Sequence, residues 1–223
     1  MPHCTNCGTE LSSDAQFCPS CGAAVTKTAP PPLRQPQTFS NNLFDRMIRA
    51  ARLDVSLYEE VERDTTATSQ ALTVVILSSI CSGIGTALSR ALTGHGLGGV
   101  GVGMLGGLFS SLISWLVWSF ITYFVGTKVF GGVASFDELL RTLGFSNSPG
   151  VLLFFSFIPI LGGFISFAVW IWGLIAMIVA VRQALDFTTG QAILTCVVGF
   201  IAALVLLAIV GMFLAIPFLL FAL

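Results

Sequence analysis

Beyond Asp64 the chain has almost no charge: residues 65–223 hold seven Asp, Glu, Lys or Arg side chains, while the first 64 residues hold fourteen. Four stretches, 65–89, 91–127, 142–181 and 187–223, have none. Histidine is nearly missing, with two residues, His3 and His95. No basic excess exists, since the formal net charge is −1, and no nucleic acid partner is expected. Met1-Pro2-His3-Cys4 does not open a charged n-region followed by an apolar h-region, so no cleaved signal peptide is expected. General acid–base and nucleophilic chemistry need polar groups that this body lacks, and no enzyme is expected. Gly144-Phe145-Ser146-Asn147-Ser148 has the look of a serine-nucleophile turn but no histidine to activate it, and Cys81 and Cys196 sit in apolar runs as small hydrophobes.

What remains is apolar. Hydrophobic residues make up 55% of the chain, charged residues 9%, and the mean hydropathy is +0.90. A soluble domain does not have this composition, and charge-free apolar runs of about twenty residues match the ~30 Å of a bilayer's hydrocarbon. The predicted fold class is an all-α polytopic membrane protein, a five-helix transmembrane bundle with a small N-terminal head. Spans are expected at 69–92, 105–127, 149–162, 164–181 and 191–216, with Pro159-Ile160-Leu161-Gly162-Gly163 as a tight turn. One kinked helix over 149–181, giving four spans, is the alternative. Five spans with the head inside leave Arg90 as the only external cation, so the positive-inside rule favours a cytoplasmic N-terminus and an external C-terminus.

The head carries the strongest motif, Cys4-Thr5-Asn6-Cys7-Gly8 and Cys18-Pro19-Ser20-Cys21-Gly22. Two CxxC knuckles can converge four thiolates tetrahedrally on Zn2+, with Cys4, Cys7, Cys18 and Cys21 as ligands and no open position, hence a structural ion. About twenty residues cannot bury enough surface to fold without such a staple. A disulfide pair would need an oxidising compartment; His3 replacing Cys4 is a weaker variant. Phe17 is expected to cover the small core. The motif resembles the short zinc-ribbon family over residues 3–23.

The domain division follows composition: a zinc ribbon at 1–23, a flexible Pro-rich linker at 24–41, juxtamembrane amphipathic helices at 42–66, and the membrane domain at 67–223. In the juxtamembrane part Leu43, Phe44, Met47, Ile48 and Ala51 form a stripe, with Arg46, Arg49 and Arg52 expected toward lipid phosphates. Ser56 with Glu59 and Ser135 with Glu138 read as capping boxes, and Gly144 as the end of the second boxed helix, whose apolar face can lie on the leaflet or on the bundle. Gly99, Gly103, Gly107 and Ser111 recur every four residues and offer a groove to another helix or subunit. The GxGxxG match at Gly94–Gly99 has no strand before it and carries no nucleotide expectation. Arg141 or Arg182 is expected to pair with Asp137 or Asp186, or else to meet lipid phosphate.

The order Tyr58-Glu59-Glu60-Val61-Glu62-Arg63-Asp64, Trp115, Phe136–Phe145 with Pro149, and Val181-Arg182-Gln183-Ala184-Leu185-Asp186-Phe187 resembles the Yip-domain family of polytopic membrane proteins, over about residues 54–216. The resemblance implies five spans and a cytoplasmic N-terminus, and for the eukaryotic members Rab-type GTPase binding in vesicle traffic. This chain lacks their Asp-Leu-Tyr-Gly-Pro type signature and carries a zinc ribbon where they carry polar tails, which resembles the prokaryotic-type branch. The expected function is an integral membrane scaffold or adaptor, placed in the plasma or inner membrane if prokaryotic. Its partners are the lipid bilayer, a cytoplasmic protein held through the ribbon, and homo- or hetero-oligomers through small-residue helix faces. The alternative is a transporter or channel for a small neutral or lipid substrate.

Overall fold

A computed structural model describes residues 3–4, 6–10, 17–23, 42–94 and 100–222. The chain divides into two units, Met1–Phe39 and Ser40–Leu223. The described part of the second unit is helical.

Two short helices begin it. Helix α1 (Leu43–Ala51) is capped by Asn42, whose Oδ1 accepts from the Phe44 amide at 3.0 Å. Helix α2 (Val55–Arg63) is capped by Asp54, whose Oδ1 takes the Ser56 amide at 3.0 Å, so the cap lies two residues before the expected Ser56 box. The turn between them depends on Leu53 at φ 62°, a left-handed conformation uncommon for a side-chain-bearing residue. Long helices follow: α3 (Ala67–Leu92), α4 (Val100–Phe124), α6 (Leu161–Ala184) and α7 (Thr189–Ala222). A π turn, Val125–Val129, prolongs α4 where Gly126 lets Leu185 approach to 2.5 Å from a Cβ position.

Among the described residues four helices, not the expected five, are long and apolar enough to cross a membrane. The segment predicted as the third span is a ten-residue 3-10 run, Ser148–Phe157, which at ~2.0 Å per residue reaches only about 20 Å. It ends in the expected turn, where Gly162 donates to the Ile158 carbonyl at 2.7 Å and Ile160 takes φ 65°, so no kinked helix runs through 149–181.

Helix α5 (Phe136–Phe145) starts with the expected capping box of Ser135 and Glu138. It is not a surface helix, because every residue from Leu139 to Phe145 is buried. Gly144 does not end it either; it lies inside the last turn, where an added Cβ would come within 2.6 Å of the Ala71 methyl. Beyond it, Gly150 meets Ser78, and Gly85 meets the carbonyls of Leu153 and Phe154. Helix α5 and the 3-10 run therefore follow α3 in the same direction, one along each half of it. The break between them is chemical: Pro149 has no N–H, Asn147 donates through Nδ2 to the Leu143 carbonyl (2.8 Å), and Ser146 through Oγ to the same carbonyl (2.7 Å).

Helix α4 runs against α3, with the Ser79 and Ser111 hydroxyls 2.6 Å apart. Helix α7 leaves from the end where α3 begins, since Gly126 meets Leu185 and Gly199 meets Ile121 and Trp118. The main core lies at that end, around Leu57, Tyr58, Val61, Ala71, Leu139, Phe145 and Val181. Outward faces such as Val102, Phe109 and Phe164 remain apolar and exposed, which suits a hydrocarbon solvent.

Candidate metal centre

The two knuckles repeat one design. The Gly8 amide donates to the Cys4 carbonyl (2.8 Å) and the Cys4 amide to the Thr9 carbonyl (2.9 Å); Gly22 donates to Cys18 (2.9 Å) and Cys18 to Ala23 (2.9 Å). Gly8 at φ 75° and Gly22 at φ 69° occupy the left-handed region that glycine enters without a Cβ penalty. An isolated antiparallel bridge between His3 and Glu10 flanks the first knuckle.

The four sulfurs lie within 4.8 Å of one another, with Cys7–Cys18 at 3.5 Å and Cys4–Cys21 at 3.7 Å. Sulfurs arranged tetrahedrally at ~2.3 Å from a zinc ion are about 3.8 Å apart, whereas a disulfide needs about 2.05 Å. The cysteines are unbridged, and the donor set fits a closed tetrathiolate site. Amides of Asn6 and then Cys7 hold the Cys4 thiol below its ordinary value. The Thr9 hydroxyl lowers Cys7 to about 6, and burial pushes Cys18 up to about 11. Phe17, expected to cover this core, is 63% exposed.

In the membrane unit the arginines of α1 do not face lipid. Arg46 is buried, reaching Glu60 (Nε, 3.0 Å), Asp64 (2.8 Å) and Gln70 (2.9 Å). Arg49 holds Glu60 at 2.8 Å and Asp54 at 3.0 Å. Burial works against ionisation of Asp54 and Asp64, but hydrogen bonds from the Ser56 and Thr66 hydroxyls, then from the two arginines, hold both carboxyls low. The expected apolar stripe is split, with Met47 inward and Phe44 and Ile48 exposed, while Ala50, outside that stripe, is buried.

Among the described residues Arg141 pairs with no carboxylate. Its Nε donates to the Val61 carbonyl at 2.9 Å and its Nη2 to the Glu62 carbonyl, so a buried guanidinium closes the C-terminal end of α2. Arg182 bonds Gln183 and Thr189. Trp172 Nε1 donates to the Ala51 carbonyl at 2.7 Å and Trp115 Nε1 to the Leu140 carbonyl at 3.2 Å, tying α1 to α6 and α4 to α5.

A Yip1 domain model matches residues 56–222, most of the chain. The chain belongs to the Yip1 domain family. A zinc-ribbon domain model matches residues 3–25, outside the Yip1 domain. No curated protein and no solved structure matches the chain. The Yip1 domain thus includes α2 with its Glu60 acceptor but not α1 with Arg46 and Arg49. Sequence reasoning missed this network; its signal was two arginines one turn apart followed by acids at 54, 60 and 64. Residues 95–99, with the GxGxxG match, lie outside the described residues.

Proposed function

We propose that Cys4, Cys7, Cys18 and Cys21 hold one structural zinc ion and that the ribbon so formed recruits a protein partner to a membrane-embedded Yip1 scaffold. The observation that carries this is a closed four-thiolate site in a unit of its own, Met1–Phe39, outside the Yip1 match. A site with four cysteine ligands leaves no position for water or substrate, so its product is a shaped surface, not a reaction. Residues 24–41 serve as the tether, 42–66 as the juxtamembrane pair and 67–223 as the membrane domain. We place the ribbon and the charged connections around Lys128–Arg141 and Arg182–Asp186 in the cytoplasm, because cations cluster there. The tail then lies outside, with α5 and the 3-10 run together completing the third passage. The prokaryotic-type branch suits a ribbon in place of a polar tail.

Affinity capture in mild detergent tests this, comparing the whole chain, a chain lacking residues 1–23, and Cys18→Ser. One partner, retained by the whole chain and lost from both variants while the membrane body stays monodisperse, is the expected result. Equal capture by all three would sink the recruiting role. Elemental analysis showing less than one zinc per intact chain would sink the metal assignment separately.

A further inference from the structure

The break between α5 and the 3-10 run puts polar groups beside the middle of α3. Asn147 is exposed between buried Ser146 and Ser148, although its carbonyl accepts from Ser78, eleven residues inside the 26-residue α3. Irregular backbone at such depth persists where it is buried in protein or lines a polar cavity. Here it does the latter. A cavity of about 390 Å³ separates α3, α4 and the 3-10 run, lined by Ser78, Ser79, Ser82, Thr86, Ser111 and Asn147, with Arg90 at its outer end. A second, of about 400 Å³, shares Ser111 and Asn147 and is walled by Trp115 and Trp118. The groove expected to take another helix is open: a Cβ at Gly103 or Gly107 would meet nothing within 4 Å.

The lining is not self-satisfied. Ser79 and Thr86 bond back to the carbonyls of Val75 and Ser82, but the Ser82 hydroxyl and Asn147 Oδ1 have no partner among the described residues. Nor has the Arg90 guanidinium, and the sequence holds no acidic residue between Asp64 and Asp137. The remaining acids of the membrane unit gather at the opposite end of α3. A cation at one leaflet's level, the Ser82 hydroxyl and the Asn147 amide oxygen below it, and Met104 and Leu153 beside them suit a ligand with an anionic head and an apolar body.

We propose that this cavity binds the headgroup of an anionic glycerophospholipid, with phosphate on Arg90 and headgroup oxygens reaching Ser82 and Asn147. The site is independent of the zinc ribbon and of any partner held there.

The test uses the full chain in a neutral detergent, titrated with phosphatidylglycerol, phosphatidylcholine or soluble glycerol 3-phosphate and followed by thermal shift. Phosphatidylglycerol is expected to stabilise the protein saturably, and Arg90→Gln to weaken that response about tenfold, the loss of one charge-assisted contact. Arg90→Lys should retain most of it, and Lys128→Gln, at the other end of α3, all of it. Ser82→Leu, which fills the cavity, should abolish it and so covers a poorly folding Arg90→Gln. The proposal is overturned if Arg90→Gln and Ser82→Leu respond like the parent, or if phosphatidylcholine matches phosphatidylglycerol. Equal stabilisation by glycerol 3-phosphate would replace the lipid with a soluble anion and overturn it too.

Discussion

Glu60 is where the α1–α2 pair is most vulnerable. Its carboxylate accepts from Arg46 Nε at 3.0 Å and from Arg49 Nη1 at 2.8 Å, with Arg46 Nη2 paired to it at 2.8 Å, and the Arg46 and Glu60 side chains are each 3% exposed. Glu60→Ala would leave the Arg46 guanidinium buried beside a cavity. Breaking a buried pair by removing one partner typically costs about 3–5 kcal/mol. Arg46 keeps Asp64 at 2.8 Å and Gln70 at 2.9 Å, and Arg49 keeps Asp54, so the lower end, about 3 kcal/mol, applies. For a unit of this size that is a fall in Tm of about 6–12 °C, readable by tryptophan fluorescence in detergent. Arg46→Met with Glu60→Leu removes both charges while filling the space, and it should recover most of the loss, since apolar replacement of a buried pair is often near neutral. A shift under about 2 °C for Glu60→Ala, or a double variant no better than the single, would refute the claim that an uncompensated charge sets the cost.

Glu62 gives a pH signature. Burial, then Asp186 and Glu138, raise its carboxyl to about 7, so its share of stability is present at low pH and is lost as pH rises through 7. Glu62→Gln should therefore melt above the parent at pH 8 and with it near pH 4.5; a constant offset would contradict this. Gly144→Val drives a side chain into Ala71, 2.6 Å from the Cβ position, and should cost about 1–3 kcal/mol, whereas Gly163→Val, with nothing within 4 Å, should not, as paired thermal melts will show. Trp172→Phe removes the bond to the Ala51 carbonyl and should cost about 1 kcal/mol by the same measurement. Chelation of zinc should release the four thiols to a colorimetric reagent without moving the melting of the membrane unit, and a large shift there would show the two units to be energetically coupled.

Features written in adjacent residues were legible in the sequence. The CxxC knuckles, the Ser135–Glu138 box and the Pro159 turn each depend on contacts within a few positions, so spacing alone defines them. Features that depend on who faces whom were not. Arg46 and Glu60 are fourteen residues apart, joined across a turn that Leu53 makes at φ 62° with no glycine to announce it. Arg141 was legible as a charge beside an amphipathic face and so as a surface residue; its acceptors are backbone carbonyls eighty residues away, which have no signature in any sequence.

The segment Ser148–Phe157 is the instructive case. Hydropathy measures whether a segment tolerates lipid, not whether its backbone rises 1.5 Å or 2.0 Å per residue, so 149–162 looked like a short span. The break at Asn147-Ser148-Pro149 was visible, but its depth was not, because depth is set by the neighbour: Ser78 of α3 holds the Asn147 carbonyl at 2.9 Å. Once α5 is buried along the first half of α3, the polar break cannot sit at the membrane surface. The same residues that read as a loop before re-entry become the floor of a hydroxyl-lined cavity. In a bundle this poor in charge, the functional question moves to where a helix stops being one, and that position follows from packing against α3 rather than from composition.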